Sequence, residues 1–296
     1  MWHSKAAEIF RLSIVNKTFC FCDWESCSYI DSHPKEDESG ERYANLETSP
    51  EPETVLIGID GRCNLKCRQC RMDYLNYDEV DENMIKCQLH KIVDSQWLSK
   101  IKHVVFASYG EVFYSPIYKS LLFEGDGSKQ ESVGIICNGL LFTEEYFQKI
   151  KAKYNKINVS ISVDAACAET YHIVRGGSWE KLIDNIKNLV RHRKNNEIMH
   201  IRLTYCTQLC NIAEIYDFIE YARELGVDEV AFQKIHYAYD TMQKEFDEVY
   251  AITDADDLPK ENVSLILAKA DLNDPFVNWF QLSKYIKYAK AKLENK

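Results

Sequence analysis

The feature that most constrains the fold of this chain is a regular alternation of short apolar runs with longer amphipathic stretches. Six runs have the length and apolar character of buried strands, and helical patterns separate them. Repeated strand–helix units predict an α/β fold with a parallel sheet, because parallel neighbours need a crossover connection that is usually a helix. The predicted strands are residues 55–60, 103–108, 133–138, 157–164, 200–206 and 229–235.

Capping residues mark several of the helices between these strands. Ser115 precedes Pro116 at one predicted start, and Thr143 stands at another, followed by acidic residues. Asn211 and Glu214 have the spacing of a capping box, which predicts a helix start at Asn211, and Gly226 is the predicted C-cap of the same helix. The predicted helices are residues 81–101, 115–123, 143–155, 178–196 and 211–226.

Three cysteines follow the first predicted strand. Active sites of parallel α/β sheets gather at the carboxyl ends of the strands, whether the sheet is open or a barrel. There the segment GRCNLKCRQC places Cys63, Cys67 and Cys70 at Cys-x3-Cys-x2-Cys spacing. A disulfide takes two cysteines and a structural zinc ion takes four ligands, so three cysteines alone match neither. On a four-iron cluster, three thiolates would leave one iron without a protein ligand. A zinc site with a distant fourth ligand is the alternative.

This motif, placed after a first strand, resembles the defining motif of the radical S-adenosylmethionine (radical SAM) enzymes. The resemblance covers roughly residues 55–236 and implies a partial six-stranded (β/α)6 TIM-like barrel. It implies a [4Fe-4S] cluster on Cys63, Cys67 and Cys70, whose open iron chelates SAM. Reductive cleavage of SAM would then give a 5′-deoxyadenosyl radical that abstracts hydrogen from a substrate.

Segments after the second and third strands fit the same resemblance. The sequence SYGEVFYSP resembles the Gly-Gly-Glu motif of the family, with Tyr109 in place of the first glycine. By that resemblance, Gly110 and Glu111 contact the amino group of SAM. The sequence CNGLLFTEE resembles the Asn-Gly turn of the family, which adds Asn138 to the cofactor site.

The fourth strand carries the most extended match. SISVDAACAETYHIVRGG resembles the Ser-x-Asp … Arg-Gly-Gly pattern of the peptide-modifying branch. The resemblance places Ser162 at the ribose, Arg175 at the SAM carboxylate and Asp164 in the same site, and an arginine suits a carboxylate because its guanidinium pairs with it bidentately. The chain departs from the family at Gln69, where an aromatic residue that touches adenine is common.

Further cysteines precede the predicted barrel. Cys20, Cys22 and Cys27 stand in a segment that resembles the end of a SPASM-type module, which implies an auxiliary iron–sulfur cluster. A segment without a cluster, or a zinc knuckle, is the alternative. The predicted organisation is a cysteine-containing N-terminal segment, an acidic polar linker, a radical SAM core and a C-terminal helical extension, at residues 1–30, 31–54, 55–240 and 241–296.

Two more cysteines flank the end of the fifth strand. Cys206 and Cys210 are candidate donors of a hydrogen atom to a substrate radical, as in epimerising members of the family. Burial without a chemical role is the alternative reading of both, because cysteine is among the most buried residue types.

Charge and apolar content limit the partners. Acidic residues outnumber lysine and arginine by 46 to 36, so a net charge of −10 disfavours nucleic acid. No apolar run approaches the roughly 20 residues that span a bilayer, and no secretory signal is recognisable. We therefore expect a cytoplasmic protein without membrane or nucleic-acid partners, whose eleven cysteines serve as metal ligands, reactive thiols or core residues.

The sequence thus predicts a radical SAM enzyme with a small-molecule or peptide substrate, such as a ribosomal peptide or a sugar-containing metabolite. The resemblance also implies an external electron donor such as flavodoxin or ferredoxin. Two alternatives remain, a radical SAM epimerase with a cysteine hydrogen donor and a non-catalytic module that binds an iron–sulfur cluster or zinc.

Overall fold

The computed structural model describes most of the chain. The contacts divide it into two compact units, Met1–Glu53 and Thr54–Lys296. The first unit contains helix α1, Lys5–Val15. The predicted auxiliary-cluster cysteines Cys20, Cys22 and Cys27 lie outside the described residues. The described residues are 4–15, 52–67, 69–70, 73–94, 100–106, 110–124, 130–235 and 250–294.

The second unit is built on seven parallel strands whose spatial order is their order along the chain. Winding in one direction is typical of a (β/α) barrel, whereas a doubly wound sheet reverses its order. The α/β partial-barrel class is therefore confirmed, and the short last strand adds to the six that were predicted. The strands are β1 Thr54–Ile57, β2 His103–Phe106, β3 Ser132–Cys137, β4 Ile157–Ser162, β5 His200–Thr207, β6 Glu229–Lys234 and β7 Val277–Asn278.

Helices connect the strands at the predicted places. They are α2 Glu79–Asp94, α3 Pro116–Glu124, α4 Glu144–Lys151, α5 Ala168–Arg175, α6 Trp179–Lys194, α7 Ile215–Leu225, α8 Glu261–Leu267 and α9 Ser283–Glu294. No helix in the described part of the chain is both long and apolar enough to cross a membrane.

The predicted caps are confirmed at three helix ends and wrong at one. Thr143 accepts a hydrogen bond from the Tyr146 amide, and Ser115 accepts one from the Tyr118 amide. Gly226 ends α7 with φ 82°, in the left-handed conformation that glycine favours. Asn211, however, makes no capping bond, and α7 begins only at Ile215, after the 3-10 turn Ile212–Glu214.

The two faces of the sheet differ in polarity. Along β5, Ile201, Leu203 and Tyr205 are buried in the same apolar core as the inner faces of the helices. The intervening residues, Arg202 and Thr204 among them, are polar and only partly buried. The helices therefore cover the apolar face, and the concave face and the strand ends are left for polar groups.

Candidate active site

The three-cysteine loop leaves the carboxyl end of β1. Cys63 is half-buried, Cys67 is buried and Cys70 is exposed. The Leu65 amide donates to Cys63 Sγ at 3.4 Å, and the Cys70 amide donates to the Cys67 carbonyl at 3.0 Å. Backbone hydrogen bonds thus shape the loop around its thiols.

The end of β3 contacts this loop through Asn138. Its side-chain Nδ2 lies 2.8 Å from Asn64 Oδ1 and 3.8 Å from Cys63 Sγ. Gly139 follows with φ 78°, and a Cβ there would come within 2.6 Å of Leu182. Glycine therefore allows the turn that brings Asn138 to the cysteine loop.

The segment after β2 packs its backbone against the start of the same loop. Gly110 has φ 81°, and a Cβ on it would lie 2.2 Å from the Asp60 carbonyl oxygen and 2.6 Å from that of Arg62. The Glu111 amide donates to the Arg62 carbonyl at 2.8 Å. Only glycine lets the two backbones approach this closely.

The Glu111 carboxylate is buried and binds backbone amides rather than lying at the surface of the site. It is 1% exposed and accepts hydrogen bonds from the Asn138 amide at 2.7 Å and the Phe113 amide at 3.3 Å. Burial raises the pKa of Glu111 to about 7, although these two amides and the Arg175 charge act in the opposite direction. The predicted contact of Glu111 with SAM stays a prediction.

A buried network fixes the start of the cysteine loop. The Asp60 carboxylate accepts from the Arg62 amide at 3.0 Å, pairs with the Arg62 guanidinium at 2.8 Å and accepts from the Ser115 hydroxyl at 2.5 Å. The Tyr118 hydroxyl accepts from the Ile59 and Asp60 amides at 2.8 and 3.0 Å. Asp60 was not among the predicted site residues, because its only signal in the sequence is a carboxylate at the end of an apolar run.

Asp164 and Arg175 form a buried ion pair beside the loop. Arg175 Nη2 lies 2.5 Å from Asp164 Oδ2, and Asp164 Oδ1 accepts from the Cys206 amide at 2.6 Å. Cys67 Sγ lies 3.8 Å from the Arg175 carbonyl oxygen. The structure therefore brings the end of α5 to the second cysteine.

Three buried polar atoms around this pair have no hydrogen-bond partner among the described residues. They are Gln69 Oε1, the Tyr171 hydroxyl and Arg175 Nε. Gln69 Nε2 lies 3.4 Å from Asp164 Oδ2, so Gln69 and Arg175 share one carboxylate oxygen. Buried polar atoms without partners are costly, and a ligand with donors and acceptors would satisfy them. The site thus fits a polar cofactor next to the cysteine loop.

The remaining predicted site residues lie on or near the concave face. The Ser162 hydroxyl accepts from Thr204 Oγ1 at 3.3 Å. Cys206 is partly buried against Ile235 and its neighbours, and burial raises the pKa of its thiol far above the ordinary value. Cys210 is exposed in the loop after β5. Cys206 therefore lies next to the predicted cofactor site, because its backbone amide donates a hydrogen bond to the Asp164 carboxylate, whereas Cys210 is exposed.

Fold and site together define a class: a parallel (β/α) partial-barrel protein with a three-cysteine cofactor loop after its first strand. The chain belongs to the Radical SAM superfamily, whose sequence profile matches residues 59–208. Membership implies a [4Fe-4S] cluster and SAM as cofactors, and the site described above fits both.

Known proteins resemble parts of the chain. The antilisterial bacteriocin subtilosin biosynthesis protein AlbA of Bacillus subtilis is 26% identical over 185 residues, which are 62% of this chain and 39% of AlbA. A probable GTP 3′,8-cyclase of Saccharolobus islandicus is 24% identical over 193 residues, which are 62% of this chain and 57% of that protein. The chain thus spans about half the length of the curated relatives it matches.

A solved structure has the same fold over most of the chain. Streptococcus suis SuiB, bound to the precursor peptide SuiA, superposes with a TM-score of 0.54 at 15% identity. The match covers 82% of this chain and 52% of SuiB.

Proposed function

We propose that this protein cleaves SAM reductively at a cluster held by Cys63, Cys67 and Cys70 and acts on a peptide substrate. Two contacts of the cysteine loop carry the proposal. Asn138 Nδ2 lies 3.8 Å from Cys63 Sγ, and the Arg175 carbonyl lies 3.8 Å from Cys67 Sγ. These partners are 75 and 108 residues away in the chain, so the fold brings polar groups from distant segments to the two thiols, which supports the proposal.

Each of the chain's own groups has a defined part in this function. The three thiolates hold the cluster, and Arg175 Nε donates to the SAM carboxylate. Ser162 binds the ribose, while the Gly110 carbonyl accepts a hydrogen bond from the amino group of SAM. When bound, the reduced cluster and SAM supply a 5′-deoxyadenosyl radical that takes a hydrogen atom from the substrate. The required electron comes from an external donor of the flavodoxin or ferredoxin class.

A peptide is the substrate that the similar proteins favour. AlbA is named for the biosynthesis of subtilosin, a bacteriocin, and SuiB was solved with a precursor peptide bound. A sugar-containing metabolite is the alternative, and a mass shift on a candidate peptide would separate the two.

The test is anaerobic reconstitution with iron and sulfide, followed by dithionite and SAM. We expect the wild-type protein to hold a [4Fe-4S] cluster whose electron paramagnetic resonance spectrum changes on SAM addition, and to release 5′-deoxyadenosine. Cys63→Ala should abolish both results, whereas Cys87→Ala, at an exposed cysteine of α2, should change neither. Zinc on the wild-type thiols, or a cluster that ignores SAM, would instead support the non-catalytic module.

A second iron–sulfur cluster on Cys20, Cys22 and Cys27 is part of the same proposal. Two [4Fe-4S] clusters would roughly double the iron bound per chain. Replacing Cys22 and Cys27 together by alanine should remove about half of the iron and leave the SAM response. An unchanged iron content would show that these thiols bind no cluster.

A specific observation favours epimerisation as a second candidate function. Cys206 lies at the end of β5, where its backbone amide donates a hydrogen bond to the Asp164 carboxylate. Burial raises the pKa of its thiol, which therefore stays protonated. The S–H bond would break to give hydrogen to a substrate carbon radical, forming a C–H bond and leaving a thiyl radical. One electron from the external donor and one proton from solvent would restore the thiol.

Deuterium distinguishes this function. In deuterated solvent, the wild-type protein should place one deuterium in the product. Cys206→Ala should lose the label and still form 5′-deoxyadenosine, while Cys210→Ala should retain both. Label retained in Cys206→Ala would rule out this cysteine as the donor.

A further inference from the structure

We propose that Asn211 is a positioning residue for SAM binding, resting on the function proposed above. It ties the carboxyl ends of β4 and β5 together, so that Asp164 holds Arg175 in place for the SAM carboxylate. Asn211 reaches this position from the loop that follows β5, where its sequence had predicted a helix cap.

The side-chain hydrogen bonds of Asn211 all go to residues at or just after the ends of β4 and β5. Its side-chain Nδ2 donates to the Asp164 carbonyl and to the Cys206 carbonyl, both at 3.0 Å. Its Oδ1 accepts from the Gln208 amide at 2.7 Å, and its own carbonyl accepts from the Tyr205 hydroxyl at 2.7 Å. Asn211 is 0% exposed, so each of these bonds is made away from water.

The bonds between the two strand ends are reciprocal. The Cys206 amide donates to the Asp164 carboxylate at 2.6 Å, while Asn211 links the carbonyls of the same two residues. Asp164 and Cys206 are therefore joined twice, once directly and once through one amide group. This arrangement holds the two ends in a fixed register beyond the last ladder pair of the two strands, Ser162 with Thr204.

We call the hydrogen bonds that join Asp164, Cys206 and Asn211 the clamp. The clamp accounts for the backbone conformation of Asp164. This residue has φ 61°, a left-handed conformation that is strained for a residue other than glycine. The surrounding bonds hold the residue there, and the bond from Asn211 to its carbonyl is one of them. In this conformation the carboxylate meets both the Cys206 amide and the Arg175 guanidinium.

The consequence for the cofactor runs through Arg175. Asp164 occupies its Nη2 at 2.5 Å, and Nε stays buried without a partner among the described residues. A carboxylate that holds one end of a planar guanidinium fixes the direction of its Nε–H, which is then an oriented donor for a second carboxylate. If the end of β4 shifts, Asp164 shifts with it, and the Nε donor is misplaced.

Asparagine suits this role because its short side chain carries both two donors and an acceptor. Aspartate would have the same size but would place carboxylate oxygens against two carbonyl oxygens. Alanine would leave the Asp164 and Cys206 carbonyls without this donor. Both changes should loosen the Asp164–Arg175 pair.

The experiment measures SAM affinity on the reconstituted protein, with iron content determined alongside. We expect Asn211→Ala and Asn211→Asp to weaken SAM binding about ten- to a hundred-fold, as expected for two lost buried hydrogen bonds, with iron content unchanged. The matched control is Asn188→Ala, which removes an amide bonded to Glu144 on the helix side of the sheet and should leave the affinity unchanged.

A double-mutant cycle separates positioning from general stability. If Asn211 acts through Arg175, the variant Asn211→Asp with Arg175→Ala should bind SAM no more weakly than Arg175→Ala alone. Additive losses would overturn the proposal, as would unchanged SAM affinity in both Asn211 variants. Should Asn211→Ala fail to fold, Asn211→Asp, which keeps the volume, decides.

The failure of the proposed function is a different result. In that case the wild-type protein itself does not bind SAM. Hydrogen exchange of the Cys206 amide then still tests the clamp. It should become faster in Asn211→Asp than in the wild type, and equal rates would overturn the clamp.

Discussion

At the scale of single residues, Gly110 sets the distance between the end of β2 and the cysteine loop. Its φ is 81°, and the Cβ of an alanine at this position would lie only 2.2 Å from the Asp60 carbonyl oxygen. We expect Gly110→Ala to lower the free energy of unfolding by about 3 kcal/mol or more, because strain and overlap add. Urea denaturation and iron content measure the loss of stability and of cluster binding.

Gly226→Ala is the matched control for this change. Gly226 has φ 82°, but the nearest atom to a Cβ there is 3.6 Å away. It should therefore cost only the left-handed backbone penalty of about 1–2 kcal/mol and leave iron content unchanged. Equal losses in the two variants would show that close approach to the cysteine loop is not what requires Gly110.

The buried carboxyl of Glu111 makes stability depend on pH. Its pKa is about 7 in the folded protein against an ordinary value of 4.5, because burial disfavours the charged form. A raised pKa means that the folded state holds the proton more tightly. The contribution of Glu111 to the free energy of unfolding is therefore complete below pH 4.5. It falls by roughly 3 kcal/mol as the pH rises through about 7.

Glu111→Gln should remove this dependence, since glutamine stays neutral. We expect the variant to gain stability relative to the wild type as pH rises from 5 to 8, measured by urea midpoints at each pH. Parallel curves for the two proteins would contradict the burial of an ionisable group at this position.

At the scale of secondary-structure elements, α4 and α6 are joined by a buried imidazole. His192 is 4% exposed, stacks on Phe147 with ring centroids 3.9 Å apart, and contacts Glu197 at 2.5 Å and Glu144 at 2.8 Å. The hydrogen bond from His192 is the largest cause that lowers the pKa of Glu144 to about 2. The hydrogen bond between His192 and Glu144 therefore stabilises the folded protein above pH 4.5, and this stabilisation is lost as the pH falls towards 2.

His192→Ala should destabilise the protein by about 2–4 kcal/mol, because it leaves a void and removes the partner of two carboxylates. The difference from the wild type should shrink as the pH falls from 5 to 3. Lys149→Ala, which removes an exposed ion pair with Glu145 and cation–π contacts with Phe123 and Tyr146, should cost much less. A loss of stability by His192→Ala that is independent of acid would show that only packing matters.

Elements with a local signal were predictable from the sequence, and those fixed by distant contacts were not. The apolar runs predict β3 to β6 within one or two residues, since strand length and turn residues are local properties. Asn211 looked like a helix cap because cap spacing is local too. Its actual partner Asp164 is 47 residues away, and no local pattern reports that bond.

The candidate site divides in the same way. Resemblance to the family motifs predicted the three cysteines, Asn138, Asp164 and Arg175 as site residues, and the structure brings the described side chains of that group together at the carboxyl ends of the strands. Spacing did not predict that Asp164 would pair with Arg175, nor that the Glu111 carboxylate would bind backbone amides. Which donor meets which acceptor depends on three-dimensional packing rather than on residue order.

At the scale of the whole molecule, the site spans the sheet from its edge to its middle. β1 is hydrogen-bonded to β2, and no second strand partner occurs among the described residues. The cysteine loop leaves this edge strand, whereas Asp164 and Cys206 follow the central strands β4 and β5. A cofactor that touches both therefore links the least supported strand to the best supported ones.

Hydrogen exchange with and without the cofactors tests this linkage across the fold. A ligand stabilises against every opening that breaks its site, by about 2.7 kcal/mol at a hundred times its dissociation constant. Local openings of β1 and of the cysteine loop break the site, so amides of residues 54–67 should gain the most protection from cluster and SAM together. Fraying of β7, Val277–Asn278, leaves the site intact, so the cofactors should slow hydrogen exchange of its amides only a little. Equal protection at β1 and β7 would mean that the cofactors stabilise only against global unfolding, and would remove the argument that they brace the edge of the sheet.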